Sequence, residues 1–99
     1  MKPSKNAPAT VCEPIKFILF VAGQEPNSVI AARNLERLCQ EHLPGCHTIE
    51  VIDVFQNMDI AFKNNIIITP TLIKVAPDPS VTIFGSLRDS QKLMHVLRP

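Results

Sequence analysis

Four side chains between residues 39 and 47 have the types that bind metal: Cys39, His42, Cys46 and His47. Zinc takes four such sulfur and nitrogen ligands in a tetrahedron. Cys39 and His42 are three apart, on one face of an expected helix, and Cys46-His47 follow a Pro44-Gly45 turn. Two features weigh against a metal centre. Cys39 falls on the apolar stripe of that helix, and adjacent ligands such as Cys46 and His47 rarely both reach one ion. The simpler reading is a buried Cys39, an exposed loop thiol at Cys46 and two solvated histidines. No metal site and no cofactor is assigned.

Dithiol redox chemistry needs Cys-x-x-Cys at the start of a helix, where the dipole lowers one thiol pKa and the second thiol resolves the mixed disulfide. The corresponding stretch here is Glu25-Pro26-Asn27-Ser28, which holds no cysteine. Cys12 is open to oxidation, although a thiol in a terminal stretch is more often incidental. Asp53, at the end of an apolar run, is a candidate acid or base. Its simpler role is to cap the turn that follows or to mark a contact surface. There is no Ser-His-Asp arrangement, and the three glycines are isolated, so no glycine loop cradles phosphate. These residues do not call for an enzyme.

The elements that position them fit one small domain of 99 residues, 45% hydrophobic and 19% charged. The formal net charge is +1 with the basic residues scattered, which argues against nucleic acid and anionic membranes as partners. Residues 1–14 contain three of the nine prolines and read as a flexible tail; residues 15–99 form the domain. The tail lacks the apolar run of a signal peptide, and the later apolar runs are too short to span a bilayer. Three cysteines without repeated spacing imply free thiols in a reducing cytosol, hence a cytoplasmic protein.

Ile15 to Ala22 is a nearly continuous apolar run, expected as a central strand that Gly23 stops. A helix follows from about Ser28 to Leu43, capped by Asn27 or Ser28, with Ala31, Leu35, Leu38 and Cys39 turned inward and an Arg37–Glu41 surface pair. Thr48 to Val54 is the second strand, parallel to the first. Asn57 opens a short helix to about Asn64, with Met58, Ala61 and Phe62 inward. Ile66 to Val75 is again apolar, interrupted by Pro70. A proline donates nothing to a sheet ladder, so the strand is expected to start at Thr71 after a cis Thr69–Pro70 bond. Ser80 to Phe84 pairs antiparallel with it. Ser86-Leu87-Arg88-Asp89 fits a capping box. The last helix, from about Asp89 to Leu97, turns Leu93, Met94 and Leu97 inward. The order is βαβαββα, an α/β thioredoxin-like plan.

Three blocks narrow this plan: Val21-Ala22-Gly23-Gln24-Glu25-Pro26-Asn27-Ser28, Val51-Ile52-Asp53-Val54, and Ile68-Thr69-Pro70-Thr71-Leu72-Ile73-Lys74-Val75. In order and spacing they resemble the signature blocks of the KaiB family over about residues 15 to 97. The resemblance implies a small, non-enzymatic, cytoplasmic regulator of a KaiC-like ATPase, acting on its activity or phosphorylation state in circadian or stress-adaptation signalling. It also implies self-association as a dimer or tetramer, and two folds: the thioredoxin-like form, which binds KaiC, and a tetrameric βαββααβ form. Family position suggests a partner surface of Asp53, Val54, Phe55, Gln56, Asn57, Lys63 and Asn65, with Gly23 and Pro70 as structural positions.

Departures from the clock members point to a non-clock branch. Val96 and Arg98 stand where many members carry glycine and aspartate. Both changes favour a terminal helix and with it the thioredoxin-like form. Ile30, Glu50 and Asn65 replace frequently basic residues, and no acidic tail precedes Pro99, which argues against binding to KaiA. A thioredoxin-fold redox or oxidative-stress protein is the alternative from another functional class.

Overall fold

The computed structural model describes residues 13–88 and 90–97. The proposed tail through Cys12, and the positions Asp89 and Arg98, lie outside the described residues. Seven elements follow in order: β1 (Ile15–Val21), α1 (Pro26–His42), β2 (His47–Asp53), α2 (Met58–Lys63), β3 (Thr71–Ala76), β4 (Val81–Phe84) and α3 (Ser90–Leu97). The strands form one sheet in the order β2-β1-β3-β4. β1 runs parallel to β2 and antiparallel to β3, and β3 runs antiparallel to β4. The expected βαβαββα plan is the one adopted.

Alternation along β1 decides where the main core lies. Ile15, Phe17, Leu19 and Val21 point to one face and join Ala31, Leu35, Leu38 and Cys39 of α1 with Leu93 and Val96 of α3. Phe20 and its register partner Ile52 are buried outside that cluster, on the other face. Met94 is half-buried at the edge of the main core, so the inward face expected of α3 is present at Leu93 and Met94.

Helix α1 starts two residues earlier than expected. Glu25, not Asn27 or Ser28, is its cap: the carboxylate accepts the backbone N–H groups of Asn27 at 3.1 Å and Ser28 at 3.0 Å. Pro26 takes the first helical position, where its missing N–H costs nothing and its fixed φ suits the helix. At the far end the Leu43 N–H donates to Cys39 O at 2.7 Å, and Gly45 turns the chain at φ +71°. Arg37 and Glu41 approach to 3.7 Å on the exposed side.

Thr69–Pro70 is cis and β3 starts at Thr71, as expected; Ala76–Pro77 and Asp78–Pro79 are cis as well. The apolar run before β3 is not buried throughout: Ile67 is 91% exposed and Ile68 is also exposed. These residues form a connection rather than a strand, so sheet packing does not reach them. The Thr71 hydroxyl donates to Ile68 O, and Pro70 O accepts the Gly85 N–H at 2.9 Å. Ser86 does not cap the last helix, which begins at Ser90. The carbonyls of Ser86 and Leu87 instead accept Nδ2 of Asn34 from α1, at 3.1 and 3.3 Å. Leu87 is buried with φ +62°, an unfavourable backbone conformation for leucine.

Two expectations for the cysteines and the short helix are corrected. Cys46 is disulfide-bonded and buried, not an exposed free thiol. Met58 and Phe62 are 70% and 85% exposed, not inward. Four residues apart, they share one stripe of α2, while Ala61 is the helix's buried residue. A helix of six residues seats itself through its smallest side chain and leaves the large ones outside.

Candidate functional site

The C-terminal ends of the parallel strands carry the site. β1 ends at Val21, and the chain turns at Gly23, whose φ is +54°. A Cβ at Gly23 would stand 3.6 Å from the Phe55 ring, so the ring lies directly over this turn. β2 ends beside it at Asp53. Oδ1 of Asp53 accepts the Gly23 N–H at 3.2 Å and the Phe55 N–H at 3.0 Å. The carboxylate therefore ties two loops together, in the capping role considered for it from the sequence. The Val54 N–H donates to Val21 O at 2.9 Å and continues the link between the strands.

The rest of the stretch folds tightly on Asp53. The Gln56 N–H and Nδ2 of Asn57 both donate to Asp53 O, at 3.1 and 3.0 Å. Asn57 precedes α2 without a side-chain cap bond, because its amide is engaged backwards. The structure thus joins Asp53, Val54, Phe55, Gln56 and Asn57 in one turn. Lys63 closes the last turn of α2, and Asn65 follows at φ +56° with its N–H on Phe62 O at 3.1 Å. The six residues of α2, roughly 9 Å of axis, run from Asn57 to Lys63 and set these two positions at the far end of the helix.

Between the two groups lies one shallow apolar groove. Val54 and Phe55, which family position suggests, line it together with Met58, Ala61, Phe62 and Ile66, which it does not. Phe55 is 70% exposed, like Met58. Large exposed apolar side chains grouped in this way mark contact surfaces more than single ones do. The available signal was the shortness of the helix: six residues cannot bury a full stripe of two large side chains.

The position of a dithiol site is filled by a hydrogen-bond knot. Ser28 is buried; its Oγ accepts the Ala22 N–H at 3.1 Å and donates to Oε1 of Glu25 at 3.3 Å. These oxygens hold the N-terminus of α1 to the end of β1. Cys39 is a free thiol inside the core, and burial pushes it up to about 11, far from the range of a reactive thiolate. Nδ1 of His47 lies 2.7 Å from Leu43 O and donates to it. Among the described residues, no three His, Cys, Asp or Glu side chains come together in a way that could hold a metal ion. No described helix is long and apolar enough to cross a membrane.

The KaiB domain model matches residues 18–99, most of the sequence and all of the site. The chain belongs to the KaiB family. It is 42% identical over 76 residues to the circadian clock oscillator protein KaiB of Microcystis aeruginosa, covering 77% of this chain and 73% of that one. Among solved structures it resembles chloroplastic thioredoxin z, with a TM-score of 0.72 and 26% identity over 87% of this chain and 78% of that one. It also resembles the N-terminal domain of Synechococcus elongatus SasA, with a TM-score of 0.71 and 19% identity over 94% and 89%. The SasA likeness is one of fold alone. This KaiB-family chain has the thioredoxin-like architecture, with Glu25-Pro26-Asn27-Ser28 where a dithiol enzyme has its cysteines.

Proposed function

We propose that this KaiB-family chain is a non-enzymatic regulator that docks on a KaiC-like ATPase and modulates its activity or phosphorylation state, in circadian or stress-adaptation signalling. The observation that carries this reading is the apolar groove of Phe55, Met58 and Phe62, held out from the domain beside the turn from Asp53 to Asn57. Buried apolar anchors within a polar rim are the usual source of affinity in a protein interface. Gln56, Asn57, Lys63 and Asn65 supply such a rim. In the absence of the ATPase a second copy takes its place, giving a dimer or tetramer, and the chain has access to the βαββααβ arrangement. KaiA is not among the partners in this reading.

Size-exclusion chromatography with light scattering tests it, on the protein alone and with a KaiC-like ATPase and ATP. Co-elution with the ATPase is expected. Failure to form a complex at tens of micromolar of each protein, with ATP present, would overturn the reading. A concentration-independent monomer over the same range would remove self-association. Backbone chemical shifts report the second arrangement, through strand values across Leu93 to Leu97.

A further inference from the structure

Leu87 is buried at φ +62°, a left-handed conformation that disfavours leucine far more than glycine. It lies in the joint that leads from β4 towards α3. A residue in such a conformation stays there only while its surroundings hold it. We infer that Asn34 of α1 is a clamp on this joint, and that α3 and the joint together are the first unit of the domain to open, uncovering one side of the main core.

A single side chain makes the clamp. Nδ2 of Asn34 donates to Ser86 O at 3.1 Å and to Leu87 O at 3.3 Å. The amide NH2 has two hydrogens, so one group serves both carbonyls. Just upstream, the Gly85 N–H donates to Pro70 O at 2.9 Å, and Gly85 takes its φ of +101° without strain. The joint is therefore fixed at two places. Gly85 ties it to the start of β3, and Asn34 ties the strained residue to α1.

Beyond the clamp, α3 has little to hold it. Its eight residues are too few to stay helical without packing. Among its described side chains, Leu93 and Val96 are buried and Met94 is half-buried. β1, by contrast, has a strand on each edge and buries Ile15, Phe17, Leu19, Phe20 and Val21. Segments with few buried apolar contacts are the ones that open at low free energy. Once the two Asn34 bonds break, Leu87 relaxes out of the left-handed region and α3 turns off its seat. The surface left behind is apolar, since Phe17, Leu35, Leu72 and Ile83 share one buried cluster with Leu93 and Val96.

Native-state hydrogen exchange on the full chain, read amide by amide at low urea concentrations, tests the clamp. The amides of Met94, His95 and Val96 should exchange through an opening of their own, faster and with a smaller urea dependence than those of Phe17 and Leu19. Asn34→Leu keeps a side chain of similar size without a donor. It should speed the α3 amides about tenfold or more, as expected for two lost hydrogen bonds. Asn34→Asp keeps the shape but turns an oxygen towards the two carbonyls, and should speed them further. Unchanged exchange of the α3 amides in both variants would overturn the clamp, whatever happens to the β1 amides. Equal rates and equal urea dependence for α3 and β1 in the parent would overturn the separate opening, because the domain would then open only as a whole.

Discussion

Asp53 and Gly23, thirty residues apart, are joined by a 3.2 Å hydrogen bond from the Gly23 N–H to the Asp53 carboxylate. The same oxygen accepts the Phe55 N–H, so the carboxylate sets the turn that carries the exposed ring. Replacing Asp53 by alanine removes both bonds and leaves the Gly23 N–H partly buried without its partner. The expected loss is about 1–3 kcal/mol, with asparagine, which keeps an acceptor, losing less. Urea denaturation measures it. Equal midpoints for the parent and the alanine variant would show that this bridge contributes nothing.

Phe62 has an anchor's size without a core residue's burial. Phe62→Asp should therefore change folding stability by no more than about 0.5 kcal/mol. Its effect on docking to a KaiC-like ATPase should be large, a loss of about 30-fold or more in affinity, as expected of a central apolar contact. Thermal melts and a binding titration on the same sample separate the two. Unchanged affinity would move the contact surface away from α2.

Lys74 is 3% exposed and its register partners in the sheet are Phe17 and Val81. Among the described residues it makes no ion pair. Its aliphatic stem packs well, but holding an ammonium so near the core is unfavourable. Lys74→Met keeps the stem and removes the charge, so it should raise stability by about 1 kcal/mol. A lower denaturation midpoint would mean that the ammonium has a favourable role in this fold.

Cys39 makes stability depend on pH at the alkaline end. Its pKa is raised from 9.0 to about 11 by burial, so between those values the folded chain holds a proton that the unfolded chain releases. Stability from this group is complete below pH 9 and is lost as pH rises towards 11. Cys39→Ala should flatten that part of the stability curve. Denaturation midpoints at neutral pH and at pH about 10 supply the comparison. An equal decline in both proteins would assign the effect to other groups.

The parts of the fold that could be read from residue order are those with one dominant physical term. The apolar run from Ile15 to Val21 has no arrangement that hides it except a central strand, and Pro70 bars the ladder before Thr71. Ala31, Leu35, Leu38 and Cys39 repeat at helical spacing over more than two turns, enough to fix the buried face of α1. Prediction failed where competing local effects are small. Glu25 rather than Asn27 or Ser28 caps α1, because Pro26 fits the first helical position and the longer glutamate side chain reaches both free N–H groups. At α2 the spacing of Met58 and Phe62 correctly puts them on one face. Spacing does not say which face of so short a helix meets the sheet, and so the most exposed part of the candidate site was read as core. The turn at Asp53 was readable because an aspartate at a strand end has few other uses.

The position of β1 between β2 and β3 also bears on how the chain is made. Synthesis from the N-terminus delivers β1, α1 and β2 as a unit that can pair before the rest exists. The edge of β1 that will meet Thr71–Ala76 then stays open until those residues leave the ribosome. That edge belongs to an apolar strand with unpaired backbone groups, the kind of surface that invites pairing with another nascent chain. Pauses in translation between the codons for Asp53 and Ala76 would lengthen this exposure, and chaperone capture on the ribosome is expected to be greatest over the same interval.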